Sequence, residues 1–263
     1  KLLTTVIVGG GPTGVELAGA IAELSRTVMK NDFRNIDPAE AKIYLVEMAP
    51  RLLTMYSEDL SQYTADTLTK KGVNVLTSDA VGSIEANKVE LSSTTIHAET
   101  IIWAAGVEAP EITRNLGVEV DRGGRFIVKT DLSLPDHPNV FAIGDIASCV
   151  DQAEVRVPGV CPAAIQMGKH ASEVIKHELS GRGAGYSVRP QFRYWDKGSM
   201  AIICKSCAVA SSMGLKFTGF IAWGMWLFIH LLFLTGSWNR FAVTSQWIYA
   251  ILRNMRSARI ITG

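Results

Sequence analysis

Thr5-Val6-Ile7-Val8-Gly9-Gly10-Gly11-Pro12-Thr13-Gly14-Val15-Glu16 decides the fold. A β-branched run ends in three glycines, and a helical pattern begins at once. Gly9, Gly11 and Gly14 have G-x-G-x-x-G spacing. The first glycine lets the chain turn off the strand, the second lets backbone approach a pyrophosphate, and the third lets helix pack closely on sheet. The helix N-terminus then turns free N–H groups and a positive dipole end toward phosphate. Between a strand and a helix, this spacing predicts a dinucleotide site. Read more simply, it is a tight strand-to-helix turn.

Working outward, Thr4–Val8 reads as a buried strand, and Pro12 to about Met29 as a helix with Val15, Leu17, Ala18, Ile21, Ala22 and Leu24 on its packing face. Asn31–Ala41 is a polar connection, and Ile43–Val46 a second buried strand closed by Glu47. An acid there accepts hydrogen bonds from the adenosine ribose and repels a 2′-phosphate, which selects NADH over NADPH. Its simpler reading is a surface Glu at a strand end. A helix is predicted over Ser57–Lys71, stopped by Gly72, then a strand at Val73–Leu76. An antiparallel pair is predicted over Ser83–Leu91 and Thr94–His97, and a strand running into Trp103-Ala104-Ala105-Gly106.

A second part begins near Val107. Gly124–Val128 and Val140–Ile143 read as strands, the latter ending at Gly144-Asp145, where ligands bind in open α/β sheets. A helix follows from Pro162 to about Ser180, with proline in its first turn and Gly181 at its stop. Gln191–Trp195 and Met200–Ile203 read as strands around an Asp196-Lys197-Gly198 turn. From Phe217 to Asn239 there is no Lys, Arg, Asp or Glu, and a second apolar stretch runs over Phe241–Leu252.

The 263 residues carry a net charge of only +1, unevenly placed. Residues 186–263 hold nine Lys or Arg and one acid, Asp196; residues 1–185 hold seventeen basic and twenty-four acidic residues. An acidic body with a basic tail suits an anionic partner surface. Four cysteines without two C-x-x-C pairs exclude a zinc ribbon and read as reduced, intracellular thiols. The five histidines are scattered, and no metal site is proposed. The chain starts at Lys1 with a strand almost at once, so a missing N-terminal portion is expected.

These motifs resemble the type II, non-proton-pumping NADH:quinone oxidoreductases of the two-dinucleotide-binding-domain flavoproteins. Gly9–Glu16 looks like the family's NADH loop, and Trp103–Gly106 like the strand end under the nicotinamide. Thr130 through Val140–Asp145 looks like the second FAD motif, with Asp145 on the ribityl chain. Phe192, Tyr194 and Asp196–Ala201 resemble the segment that follows. The fold implied is α/β: a Rossmann-like NADH-binding unit (1–106), the second part of an FAD-binding domain (107–185) and a C-terminal helical membrane-docking region (186–263). The family's first FAD half has no counterpart here, so the resemblance implies a C-terminal portion that binds FAD poorly and is inactive alone.

The resemblance implies an enzyme that oxidises NADH through FAD and reduces a membrane quinone by two electrons. Its cofactor-binding residues are Gly9, Gly11, Pro12, Thr13, Gly14, Glu16, Glu47, Ala105, Gly106, Gly144, Asp145, Ala164, Ile165 and Gln166. Glu16 lies near the nicotinamide–flavin contact, Gln166 near the flavin and quinone head, and Lys197 at the same face. On the residues alone, Glu16 is a first-turn acid favoured by the helix dipole, Gln166 a polar residue on a helix face, and Lys197 part of a surface turn. Where the family often has A-Q-x-A-x-Q, this chain has Cys161-Pro162-Ala163-Ala164-Ile165-Gln166 and keeps only the second alanine and the last glutamine.

The partners implied are a quinone and membrane lipid, with no nucleic acid and a homodimer as the assembly to test. The place implied is the cytoplasmic face of the inner membrane. Two readings of the apolar C-terminus stand: Phe217–Asn239 is long enough to span, whereas Phe241, Trp247, Ile248, Ile251, Leu252 and Met255 opposite Gln246, Arg253 and Arg256 describe a helix lying in the interface. Rival functions are a sulfide:quinone oxidoreductase using Cys149 or Cys161, a thiol enzyme using Cys204-Lys205-Ser206-Cys207, and a non-enzymatic membrane-bound nucleotide module.

Overall fold

Alternating side-chain direction in the first strand divides the core. The structure, a computed structural model, describes residues 3–29, 35–180 and 189–253. Strand β1 (Thr4–Val8) points Ile7 to one face of a sheet and Val6 and Val8 to the other. Helix α1 (Pro12–Glu23) follows, and its last turn widens into a π-helical segment at Leu24–Val28. Arg26 in that segment donates to the Gly72 and Ala41 carbonyls. Then come β2 (Lys42–Glu47), α2 (Glu58–Lys70), β3 (Val73–Thr77), β4 (Val81–Glu85), β5 (Lys88–Leu91), β6 (Thr95–His97) and β7 (Thr100–Trp103).

The main sheet is parallel in the order β3-β2-β1-β7. Parallel strands need crossovers, and α1 and α2 supply two of them. Ile7, Ile43 and Leu45 pack against Val15, Ala18 and Ala22 of α1 and Leu60 and Leu68 of α2. The opposite face, with Val6, Val8 and Val46, is covered by Val89, Leu91 and Ile96 of an antiparallel meander, β4-β5-β6. The expected single antiparallel pair over 83–97 is thus three strands, because Asn87, at φ 63°, turns the chain inside the first stretch.

Residues 106–197 form a second compact unit. It holds a short parallel pair, β8 (Phe126–Ile127) with β9 (Ala147–Ser148), and α3 (Cys161–Leu179). Phe126, Leu132, Leu134, Ala142, Met167 and Phe192 fill its core. The expected strand at Val140–Ile143 is not regular: it makes one bridge, Phe141 to Ser133, before a 3-10 turn at Gly144–Ile146. Gln191–Trp195 forms no ladder, since Asp151 and the Thr130 carbonyl take the N–H groups of Tyr194 and Phe192.

The remaining segments belong to the same unit as residues 1–105. Strands β10 (Ser199–Cys204), β11 (Cys207–Ser212) and β12 (Leu215–Thr218) form an antiparallel meander, of which sequence reasoning found only the first strand. Ala201, Ile203 and Val209 join the core cluster of Ile7 and Leu45. Helices α4 (Gly219–Phe233) and α5 (Ser237–Arg253) follow, separated by a break at Leu234, where Arg240 donates to the Leu232 and Leu234 carbonyls. That break interrupts the charge-free run 217–239. Among the described residues no helix is long and apolar enough to cross a membrane.

Candidate functional site

The glycine turn is built by close approaches that a side chain would block. Gly9 has φ +111°, and a Cβ there would stand 2.8 Å from the Ala104 carbonyl carbon at the end of β7. A Cβ on Gly14 would fall 1.8 Å from the Gly9 oxygen, so α1 starts directly against the turn. At Gly11, by contrast, a Cβ would meet nothing within 4 Å. Gly11 also caps α1 without any side-chain hydrogen bond, followed by Pro12 at the first helical position. A helix start of this kind leaves first-turn N–H groups, those of Thr13 and Gly14 among them, aimed into open space. The cradle fits a pyrophosphate.

Glu47 closes the turn from the side. Its Oε2 accepts from the Gly10 N–H at 2.5 Å and its Oε1 from the Ala49 N–H at 2.7 Å. Each oxygen keeps a lone pair, and the side chain is half-buried beside the turn. The loop beyond it is tied down: Leu53 N–H donates to the Gly10 carbonyl, and Arg51 donates to the Tyr56 and Thr54 carbonyls and to the Ser61 hydroxyl. Ala105 follows β7 within the same unit, its carbonyl accepting from the Trp103 indole.

Glu16 sits one turn into α1. Its Oε1 accepts from the Ile202 N–H on β10 at 3.2 Å. Burial pushes its carboxyl above the usual carboxylate range, and the Ile202 N–H and His230 pull in the opposite direction. Burial likewise raises the Tyr56 phenol, which bonds Ser199 and feels the charge of Glu16. Sequence reasoning missed Tyr56 and Ile202 as neighbours of Glu16. No local signal could have found them, because Ile202 lies 186 residues away.

A stability test follows from that burial. Glu16→Gln keeps an oxygen for Ile202 and removes the buried charge. A raised native carboxyl costs stability only where the unfolded chain is ionised, above its ordinary value near 4.5. Thermal melts of the glutamine variant are therefore expected to exceed wild type at pH 7–8, by a margin that vanishes as pH falls toward about 4. A margin that widens on acidification would refute the burial argument.

Within residues 106–197, Gly144 has φ +71°, and a Cβ on it would touch Ala164 at 3.4 Å. Gly144 N–H donates to the Met167 sulfur. Asp145 is exposed beside Gly159, and Ile165 is exposed on the first turns of α3. Gly106, also at positive φ, has open space around it. Gln166 is clamped: its Nε2 donates to the Trp195 carbonyl at 3.0 Å, and its Oε1 accepts the Trp195 N–H at 2.9 Å. The Lys197 ammonium lies 4.9 Å from the centre of the exposed Trp195 ring. Gln166, Trp195 and Lys197 thus form one group. Glycine, an exposed acid and the start of α3 suit a flavin's ribityl and phosphate groups. Cys149 is buried, which pushes its thiol up to about 11 and disfavours it as a sulfur carrier.

The parallel sheet, the glycine turn and the acid at the end of β2 define a dinucleotide-binding α/β protein. The family model described as pyridine nucleotide-disulphide oxidoreductase matches residues 1–168, and the chain belongs to that family. It is 40% identical over 271 residues to the type II NADH:quinone oxidoreductase Ndh of Mycobacterium tuberculosis, covering 100% of this chain and 57% of that relative. It is 36% identical over 273 residues to NdhA of the same organism, with the same coverage. The chain therefore spans little more than half the length of these relatives. The solved structure of NDH2 from Plasmodium falciparum in complex with NADH has a TM-score of 0.87 at 17% identity, over 98% of this chain and 67% of that one. At that identity the likeness is one of fold.

Proposed function

We propose that the protein oxidises NADH through a bound FAD and reduces a membrane quinone, and that this chain supplies its NADH unit, part of its FAD site and its membrane-facing end. The observation that carries the reading is the 40% identity, over the whole chain, to a type II NADH:quinone oxidoreductase. The glycine turn, open at Gly11 and closed by Glu47, supports it. FAD supplies the two-electron exchange between nucleotide and quinone. Gly9, Gly11, Pro12, Thr13 and Gly14 shape the pyrophosphate cradle, Glu47 takes the ribose, and Ala105 and Glu16 lie toward the nicotinamide. Gly106, Gly144, Asp145, Ala164 and Ile165 hold the flavin, and Gln166 and Lys197 serve the quinone half. Residues 1–106 carry the first role and 107–185 the second; within 186–263 the membrane-facing part is α4 and α5, since β10 and β11 pack into the core of the NADH unit.

The test gives the complete protein NADH, NADPH or sulfide in turn, each with a soluble quinone. NADH-dependent quinone reduction is expected. Sulfide oxidation without NADH oxidation, or no turnover with any donor, would overturn the reading. Gln166→Ala releases Trp195 on both sides and is expected to slow quinone reduction. Stopped-flow flavin reduction by NADH should stay near wild type. Equal loss in both halves would move Gln166 out of the quinone role.

The C-terminal helices support monotopic attachment on one membrane face, which we assign to the cytoplasmic side of the inner membrane. Phe220, Ile221, Phe228 and Phe233 on α4 and Trp238, Phe241 and Ile248 on α5 are all more than half exposed. Met255, Arg256 and Arg259 lie outside the described residues, as do the side chains of Leu252 and Arg253. Burying one such aromatic contributes roughly 1.5–3 kcal/mol. Phe228→Asp is therefore expected to weaken sedimentation with anionic vesicles at least about tenfold, while high salt alone leaves the wild type bound. Binding abolished by salt and untouched by the substitution would make the attachment electrostatic instead. A homodimer remains the assembly to test, by sedimentation in detergent.

A further inference from the structure

Cys204 and Cys207 face each other across the two-residue turn that joins β10 to β11. Opposed residues of an antiparallel pair project to the same side, with Cβ atoms about 4.5–5.5 Å apart. A small closing movement brings them to the ~3.5–4.5 Å of a disulfide. The turn itself is adaptable. Ser206 sits at φ 62°, and a register shift places a bulge between Ile202 and Cys204. Both cysteines are free thiols; Cys204 is buried and Cys207 partly exposed. The Tyr63 hydroxyl lies 3.2 Å from the Cys207 sulfur.

We propose that Cys204 and Cys207, with Tyr63 as hydrogen-bond partner, form a thiol–disulfide exchange site that reacts with low-molecular-weight disulfides. The two thiols have distinct parts. Cys204 donates a hydrogen bond to Cys207, which lowers the Cys207 thiol; Tyr63, Thr67 and Lys71 lower it further, against the opposing effect of burial. The same contact raises Cys204, with burial, Cys207 and Glu23 adding to the rise and Lys71 opposing it. Burial and the neighbouring sulfur raise the Tyr63 phenol to about 12, so the tyrosine keeps its proton and is the donor. Cys207 is thus the partly exposed nucleophile and Cys204 the buried resolving thiol.

In the first step the Cys207 thiolate attacks one sulfur of R–S–S–R. A protein–S–S–R bond forms, the R–S–S–R bond breaks, and RS⁻ leaves and takes a proton. In the second step Cys204 loses its proton and attacks the Cys207 sulfur, and a second RS⁻ leaves. The protein gives up two electrons and two protons, the small disulfide becomes two thiols, and the Cys204–Cys207 disulfide remains. None of these groups is part of the nucleotide, flavin or quinone sites assigned above, so the exchange stands or falls apart from the NADH chemistry.

The test incubates the reduced complete protein with oxidised glutathione, quenches with a maleimide and maps the peptides by mass spectrometry. Exposed Cys161 serves as the internal reference. In the wild type, the peptide bearing both cysteines is expected to lose two hydrogens and keep no glutathione, ahead of any change at Cys161. Cys204→Ser should trap glutathione on Cys207, and Cys207→Ser should leave Cys204 unmodified. Tyr63→Phe should move the midpoint of the pH profile of Cys207 alkylation by iodoacetamide upward. The wild-type measurement alone can overturn the proposal: glutathione on Cys161 with Cys204 and Cys207 still reduced, or a lasting adduct on Cys207, would each do so. An unmoved alkylation midpoint would remove Tyr63 from the site.

Discussion

Alanine at position 19 is expected to lower the stability of the protein by about 3 kcal/mol and its thermal midpoint by roughly 6–12 °C. Helix propensity alone points the other way, since Gly to Ala inside a helix gains close to 1 kcal/mol. The deciding contact is with β10. A Cβ on Gly19 would stand 1.6 Å from the Ile203 oxygen and 2.8 Å from its carbonyl carbon. Both are backbone atoms, which cannot swing aside as the end of a flexible side chain does. The helix must back away from the strand, and the contacts of Ala18 and Ala22 with Ile203 and Val209 loosen with it. Calorimetry of wild type and Gly19→Ala measures the effect directly. A midpoint equal to wild type or higher would show that α1 does not approach β10 this closely.

Replacing Glu47 is expected to raise the KM for NADH about tenfold to a hundredfold, from the ~1.5–3 kcal/mol of a hydrogen bond to a charged group. Beside the ribose contact that we propose for it, Glu47 has a structural part, because its two oxygens hold the Gly10 and Ala49 N–H groups at 2.5 and 2.7 Å. Glutamine in its place could offer oxygen to one of them only, and its NH₂ would face the other donor. Glu47→Gln should therefore be nearly as damaging as Glu47→Ala, whereas a contact to ribose alone would survive in part. Steady-state rates with NADH and NADPH separate these cases. An unchanged KM with unchanged rejection of NADPH would remove the residue from the site.

The parts legible in the sequence were those whose signal is local. The glycine spacing and the run Thr4–Val8 marked β1 and the start of α1, and Glu47 was placed by its position at a strand end. Gly72 and Pro162 marked helix boundaries within a residue or two. The failures have physical causes. Val140–Ile143 has the apolar character of a strand, but among the described residues only Ser133 bridges to it. β11 went unread because Ala208, Val209 and Ala210 are all buried, so no alternation marks it, and β12 because its four residues are mostly exposed and show no alternation either. The setting of Glu16 was beyond local reasoning, since its hydrogen-bond partner comes from the far end of the chain.

The seating of β10 against α1 carries a consequence for biosynthesis. Ala201, Ile203 and Val209 are integral to the core that also holds Ile7, Val15 and Leu45, yet the ribosome makes them roughly one hundred residues after β7. At translation rates of about 5–20 residues per second, that is a wait of some 5–20 seconds. Throughout it the nascent α1 exposes the face that Gly19 later presses onto β10, and Glu16 lacks the Ile202 N–H. Long-range closures of this kind are slow and leave apolar surface uncovered while they wait. Synthesis of this protein should therefore be sensitive to chaperone supply and to codon speed between positions 106 and 198, even where the finished protein is stable.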